Sequence, residues 1–171
     1  MDKQSGFTML ELMVAIAICA VLSAIAVPNM VGWISNRRIQ SSANDLNAAF
    51  HLARTTAIRE NADVVVALDL ASNTCEIFVD DGAGGTGTPQ NQIRDGNETL
   101  VDRIALPAGV DMYEQTFAGS WCGYSSRGLP IDDNFGQIHM RNSADRYMGI
   151  GLNMAGNPSI IESHDNGGTW H

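Results

Sequence analysis

The chain opens with an apolar run that no later stretch matches. Across residues 7–27 only Glu11 ionises at neutral pH, and Leu, Ile, Val, Met and Ala fill most other positions. About twenty residues at about 1.5 Å rise cover roughly 30 Å, the thickness of a bilayer's hydrocarbon core. This pattern predicts a membrane-spanning helix. Beyond Pro28, Ile39, Ala43, Leu46, Phe50, Ala53 and Ala57 recur at alternating steps of four and three. That spacing gathers them on one face of an amphipathic helix. Ser35, Asn36, Arg37, Gln40, Asn44, Asp45, Asn47 and Arg54 occupy the rest. Together the two patterns predict one helix over residues 7–60, far longer than a usual globular helix. Asn61-Ala62-Asp63 ends it, and Pro28 is the place where a missing donor would bend or loosen it.

After Val64 the period changes to short β-prone runs separated by turns. Residues 64–70 and 75–79, joined through Ala71-Ser72-Asn73-Thr74, predict a hairpin. Residues 100–106 and 110–113 flank Pro107-Ala108-Gly109 and predict a second strand pair. Further strands are predicted over 136–141, 147–152 and 159–162, with a turn at Asn153-Met154-Ala155-Gly156-Asn157-Pro158. The fold class is therefore α+β, a long N-terminal helix packed on a C-terminal β-rich domain. No internal repeat or second globular domain interrupts it.

Charge and cysteine usage narrow the function. A formal charge of −9 over 171 residues disfavours non-specific nucleic-acid binding, which depends on clustered Lys and Arg. Cys19 falls in the apolar run and reads as a small packing residue. Cys75 and Cys122 fall in the β-rich part, where a disulfide is possible if that part lies in an oxidising compartment. Residues 80–98 are rich in Gly, Asp, Asn and Thr. Calcium accepts such oxygen ligands, but the run lacks the alternating spacing of an EF-hand loop, and a solvated acidic loop is the reading it supports. His51, His139, His164 and His171 show no ligand spacing. Trp121-Cys122-Gly123-Tyr124 reads as a core strand or a stapled turn. No catalytic residue, metal or cofactor is predicted, and the chain reads as non-enzymatic.

Glu11 remains the anomaly. A carboxylate one turn inside an apolar helix costs several kcal/mol unless it is paired, protonated or near the interface. Gly6-Phe7-Thr8-Met9-Leu10-Glu11-Leu12 ahead of an apolar helix resembles the class III signal of type IV pilins and type II secretion pseudopilins. The resemblance implies cleavage between Gly6 and Phe7 by a prepilin peptidase, N-methylation of Phe7 by the same enzyme, and a role for Glu11 in subunit assembly. Leu52-Ala53-Arg54 followed by Ala57-Ile58, and the late Tyr147-Met148-Gly149-Ile150-Gly151-Leu152 with its glycine turn, are similar to the GspH/FimT family of minor pilins and pseudopilins.

That family implies a leader over residues 1–6, a membrane or filament-core half of the helix over 7–27, an amphipathic half over 28–61, and a periplasmic β-rich domain over 62–171. It also implies a single-pass inner-membrane precursor that later joins a pilus or pseudopilus. Its partners would be the peptidase, other major and minor pilins or pseudopilins, and an inner-membrane assembly platform. Some FimT-type relatives bind DNA through a basic Gly-Arg-x-Arg-like turn. Here the equivalent turn reads Gly156-Asn157-Pro158-Ser159, and no Lys or Arg follows it.

Overall fold

The computed structural model describes residues 8–82, 88–95 and 97–171, with only the backbone described at Ile25 and over 27–29. The Gly6–Phe7 bond and the middle of the 80–98 loop lie outside the described residues. The chain divides into two compact units, Met1–Ile34 and Ser35–His171.

One helix, α1, runs over Met9–Glu60 and passes unbroken through Pro28. In the first unit every described side chain from Thr8 to Ala24 is exposed, including Met9 at 85% and Leu10 at 73%. Among the described residues no helix is long and apolar enough to cross a membrane.

In the second unit the remainder of α1 lies on two four-stranded antiparallel sheets. β1 (Val64–Asp69), β2 (Thr74–Val79), β3 (Leu100–Ala105) and β5 (Trp121–Tyr124) form the first, in the order β3-β2-β1-β5. β4 (Val110–Gln115), β6 (Gly136–Asn142), β7 (Tyr147–Leu152) and β8 (Pro158–Ser163) form the second, in the order β4-β6-β7-β8. The predicted β1–β2 hairpin is present, with Val64 opposite Val79 and Asp69 opposite Thr74. The predicted pairing of 100–106 with 110–113 is not. β3 pairs with β2 and β4 with β6, because Pro107-Ala108-Gly109 carries the chain from one sheet to the other. Asn73 bridges the two. Its carbonyl accepts the Leu106 N–H, and its side-chain Oδ1 accepts the Met112 N–H at 2.7 Å.

Ile39, Ala43, Leu46, Phe50, Ala53 and Ala57 are all fully buried, as their spacing predicts. They meet Val64, Val66, Ile77 and Tyr124 of the first sheet and Met112, Ile138, Met140, Met148 and Ile150 of the second in one continuous core. Phe50 is the bulkiest helix side chain in it. Truncation there loses the transfer energy of the ring and leaves a cavity that neighbours on two sheets cannot all close. Phe50→Ala is expected to cost about 3–5 kcal/mol, read as a lowered denaturant midpoint with unchanged slope.

Candidate functional site

The helix begins on a reciprocal cap. The Glu11 N–H donates to Thr8 Oγ1 at 3.2 Å, while Glu11 Oε2 accepts both the Thr8 N–H and the Thr8 hydroxyl at 3.2 Å. This is the capping-box arrangement, which satisfies amide groups that the first helical turn leaves without intrahelical partners. Thr8-x-x-Glu11 is also its sequence signature, a signal the apolar run overshadows. The carboxylate is thereby held at the start of α1, where the partial positive charge of the helix terminus favours an anion. Beyond it the described Leu, Ile, Val and Met side chains up to Leu22 are exposed.

Further along, the flank of α1 carries polar residues that each find a partner on the second sheet or its turns. Ser35 and Ser143 share a hydrogen bond at 3.1 Å, and Asn142 Nδ2 donates to Asn36 Oδ1 at 2.9 Å. Arg146 reaches Gln40 and, at 3.1 Å, Glu162. Of the two arginines that follow the apolar run, Arg38 donates to the Ala108 carbonyl at 3.2 Å and Arg37 is exposed. Arg54 donates to Asn157 Oδ1 at 2.5 Å and to the Ala155 carbonyl at 3.2 Å. The Ala53-Arg54 motif of the helix and the late glycine turn thus form one contact, although a hundred residues separate them in sequence.

Gly156 shapes that contact. Its φ is +74°, and a Cβ there would lie 2.7 Å from the Gly128 carbonyl oxygen. Both conditions demand glycine. Gly156→Ala is expected to cost at least about 2 kcal/mol in thermal or chemical unfolding. An unchanged midpoint would show that the turn relaxes freely.

Cys75 and Cys122 are both buried free thiols in this structure, where the disulfide their compartment would allow is absent. β2 and β5 flank β1 on opposite sides, with Cys75 opposite Leu68 and Cys122 opposite Val66. Two strand spacings across the sheet and two residues along it separate their Cα atoms by about 12 Å, beyond the roughly 7 Å limit for a bridged pair. Burial pushes the Cys75 thiol up to about 12 and that of Cys122 well above its ordinary value. Neither is a reactive group.

The acidic loop is not simply solvated, contrary to its composition. Asp80 and Glu98 are buried. Asp80 accepts the N–H groups of Gln90 and Gln92 at 2.7 and 2.8 Å, and Glu98 those of Gly82 and Asp95, both at 3.0 Å. The carboxylates fold the loop by receiving backbone donors. Among the described residues no group of three or more His, Cys, Asp or Glu side chains gathers to hold a metal.

His139 was missed by spacing alone and is buried on the outer face of the second sheet. It bonds Glu114 and Gln137, each at 2.9 Å, and stacks on Trp170 with ring centroids 4.1 Å apart. The segment after β8 holds Trp170 there. Ser163 and Thr169 hydroxyls donate to Asp165, and the main chains of Glu162 and His171 bond in both directions. Those donors keep the Asp165 carboxyl well below its usual range. Their stabilising contribution is full above the ordinary carboxylate pKa and fades as pH falls towards the folded value.

Residues 1–27 match the prokaryotic N-terminal methylation motif. Residues 42–156 match the type II transport protein GspH family. A fimbrial protein of Pseudomonas aeruginosa is 27% identical over 107 residues, covering 61% of this chain and 69% of the relative. The type II secretion system core protein G of Escherichia coli K12 is 45% identical over 47 residues, 28% of this chain and 32% of that one. Two solved structures share the fold at 12% identity. The minor pseudopilin EpsH of the Vibrio cholerae type 2 secretion system has a TM-score of 0.56, covering 77% of this chain and 98% of its own. The type IV minor pilin FimU of Pseudomonas aeruginosa has a TM-score of 0.55, covering 75% and 91%. A methylation motif, a long N-terminal helix on antiparallel sheets and a match over most of the second unit converge: the chain belongs to the GspH family of type II transport proteins.

Proposed function

We propose that the chain is a minor pilin or pseudopilin: a structural subunit cut between Gly6 and Phe7, methylated at Phe7, and assembled at the initiation complex or tip of a type IV pilus or type II secretion pseudopilus. One observation carries the reading. In the first unit of a chain with a prepilin methylation motif, every described side chain of the apolar helix from Met9 to Ala24 is exposed, and the one charged side chain among them, Glu11, lies at its start. Such a surface needs a cover. Lipid covers it in the inner-membrane precursor, and the helices of neighbouring subunits cover it in the filament. The globular unit then lies on the periplasmic side and supplies the contacts that distinguish this subunit from its neighbours. Its role is mechanical, without catalysis.

Initiation and bulk growth differ in what depletion does. Cells lacking a priming subunit should carry fewer filaments of ordinary length, counted by electron microscopy after shearing. Filaments of unchanged number but shorter length would contradict a place at the initiation complex.

A further inference from the structure

We propose that the outer face of the second sheet carries a binding groove for a neutral saccharide. A cavity of about 380 Å³ opens there, lined by Phe135, Gln137, Gly151, Asn153, Ser159 and Ile161. Its size suits one or two sugar rings, at the small end of ligand sites. Gln137, Gly151 and Ser159 stand opposite one another on β6, β7 and β8, so they form one row across the sheet face. Gly151 makes the floor. A Cβ added there would meet nothing nearer than 3.6 Å, so the open space follows from the missing side chain and not from a steric demand for glycine.

The walls have a consistent chemistry. Phe135 is 40% exposed and offers an aromatic surface. Gln137 is bonded through Oε1 to His139, and Asn153 through Oδ1 to the N–H groups of Ala155 and Asn157. Among the described residues the Asn153 amide nitrogen has no hydrogen-bond partner, and the Gln137 amide keeps free whichever of its two polar atoms the His139 ring does not engage. The Ser159 hydroxyl makes only a long bond, 3.4 Å, to the Gly151 carbonyl. No charged side chain lines the groove, in a chain that carries 19 Asp and Glu and 10 Lys and Arg.

These features select the ligand class by exclusion and by match. A phosphate, carboxylate or ammonium group would lose its hydration without meeting an opposite charge. A purely apolar ligand would cover the free polar atoms of the two amides and leave them unsatisfied. An extended peptide adds to a sheet along a free edge; β8 is an edge strand of this sheet, but the floor and one wall of the groove, Gly151 and Gln137, stand on the inner strands β7 and β6, so the groove lies on the sheet face and not along that edge. A pyranose ring answers each requirement. Its axial C–H face packs on an aromatic ring, and its hydroxyls accept from amide nitrogens and exchange bonds with a serine hydroxyl.

The test is a titration of the ¹⁵N-labelled full chain in dodecylphosphocholine micelles, a sugar-free detergent, with cellotriose, maltotriose and N,N′,N″-triacetylchitotriose. Saturable amide shifts confined to residues 135–137, 151–153 and 159–161 are expected with at least one trimer, at an affinity of about 1 mM. Phe135→Ala should weaken binding about tenfold through loss of the stacking surface. Gly151→Val should abolish it by filling the floor. The circular dichroism and melting of both variants should match wild type. No saturation with any trimer at about ten times the expected constant would overturn the proposal. So would shifts that map elsewhere, equal binding by a folded Gly151→Val chain, or saturable binding of inorganic phosphate in the groove.

Discussion

The chain extracted from cells that contain a prepilin peptidase is expected to begin at N-methylated Phe7, and Gly6→Trp is expected to leave residues 1–6 attached in nearly every molecule. A peptidase cleft receives an extended strand and must approach the scissile carbonyl closely. Glycine presents no Cβ to that approach, whereas an indole fills the space the enzyme's own groups require. The consequence reaches past processing. An uncut chain keeps the charged Asp2 and Lys3 ahead of its apolar helix. Those charges rest easily at a membrane surface, but carrying them into a filament core among packed apolar helices costs several kcal/mol each. The variant should therefore accumulate in the membrane fraction and be absent from sheared filaments. Intact-mass analysis decides the matter. A Met1 terminus on wild-type protein in peptidase-containing cells would defeat the reading, as would a Phe7 terminus on the variant.

The features that were legible in the sequence are those set by short-range pattern. Ile39, Ala43, Leu46, Phe50, Ala53 and Ala57 follow the helical repeat, and all six are fully buried. Alternation and turn residues located the strands to within a residue or two. Strand partnership was not legible, because it is decided by non-local packing. β5 pairs with β1 across the whole of β2, β3 and β4, and Pro107-Ala108-Gly109 moves the chain between sheets where a hairpin was expected. The same non-local arrangement places Cys75 and Cys122 on opposite sides of β1. Asp80 and Glu98 are hidden from composition for a related reason: a carboxylate that receives backbone N–H groups is buried by the loop it organises. The groove on the second sheet draws its lining from three strands and two turns, so no contiguous motif announces it. By contrast Thr8 and Glu11 are one helical turn apart, and their joint role can be read from spacing alone.

That joint role makes Glu11 the most informative position in the chain. Glu11→Gln is expected to insert, to be cleaved and to start its helix normally, yet to fail in filament assembly. Glutamine serves at this position of a capping box, accepting from the Thr8 N–H as the carboxylate does. The variant therefore keeps the local structure and loses only the charge. Removing that charge also makes the apolar segment cheaper to insert. In a docking subunit, however, the new Phe7 amine is positive and enters an apolar environment, where an anion at Glu11 of the neighbouring helix is the group suited to meet it. An unpaired buried charge costs about 3–5 kcal/mol, which lowers docking by a hundredfold or more. Glu11→Ala should fail to the same degree, with a further loss of the helix start of about 1 kcal/mol from the missing cap. The comparison separates two roles that a single alanine variant confounds. If capping is what matters, glutamine rescues and alanine does not; if charge pairing is what matters, both variants remain in the membrane fraction with mature Phe7 termini. Recovery of Glu11→Gln in sheared filaments at the wild-type level would reduce Glu11 to a helix cap.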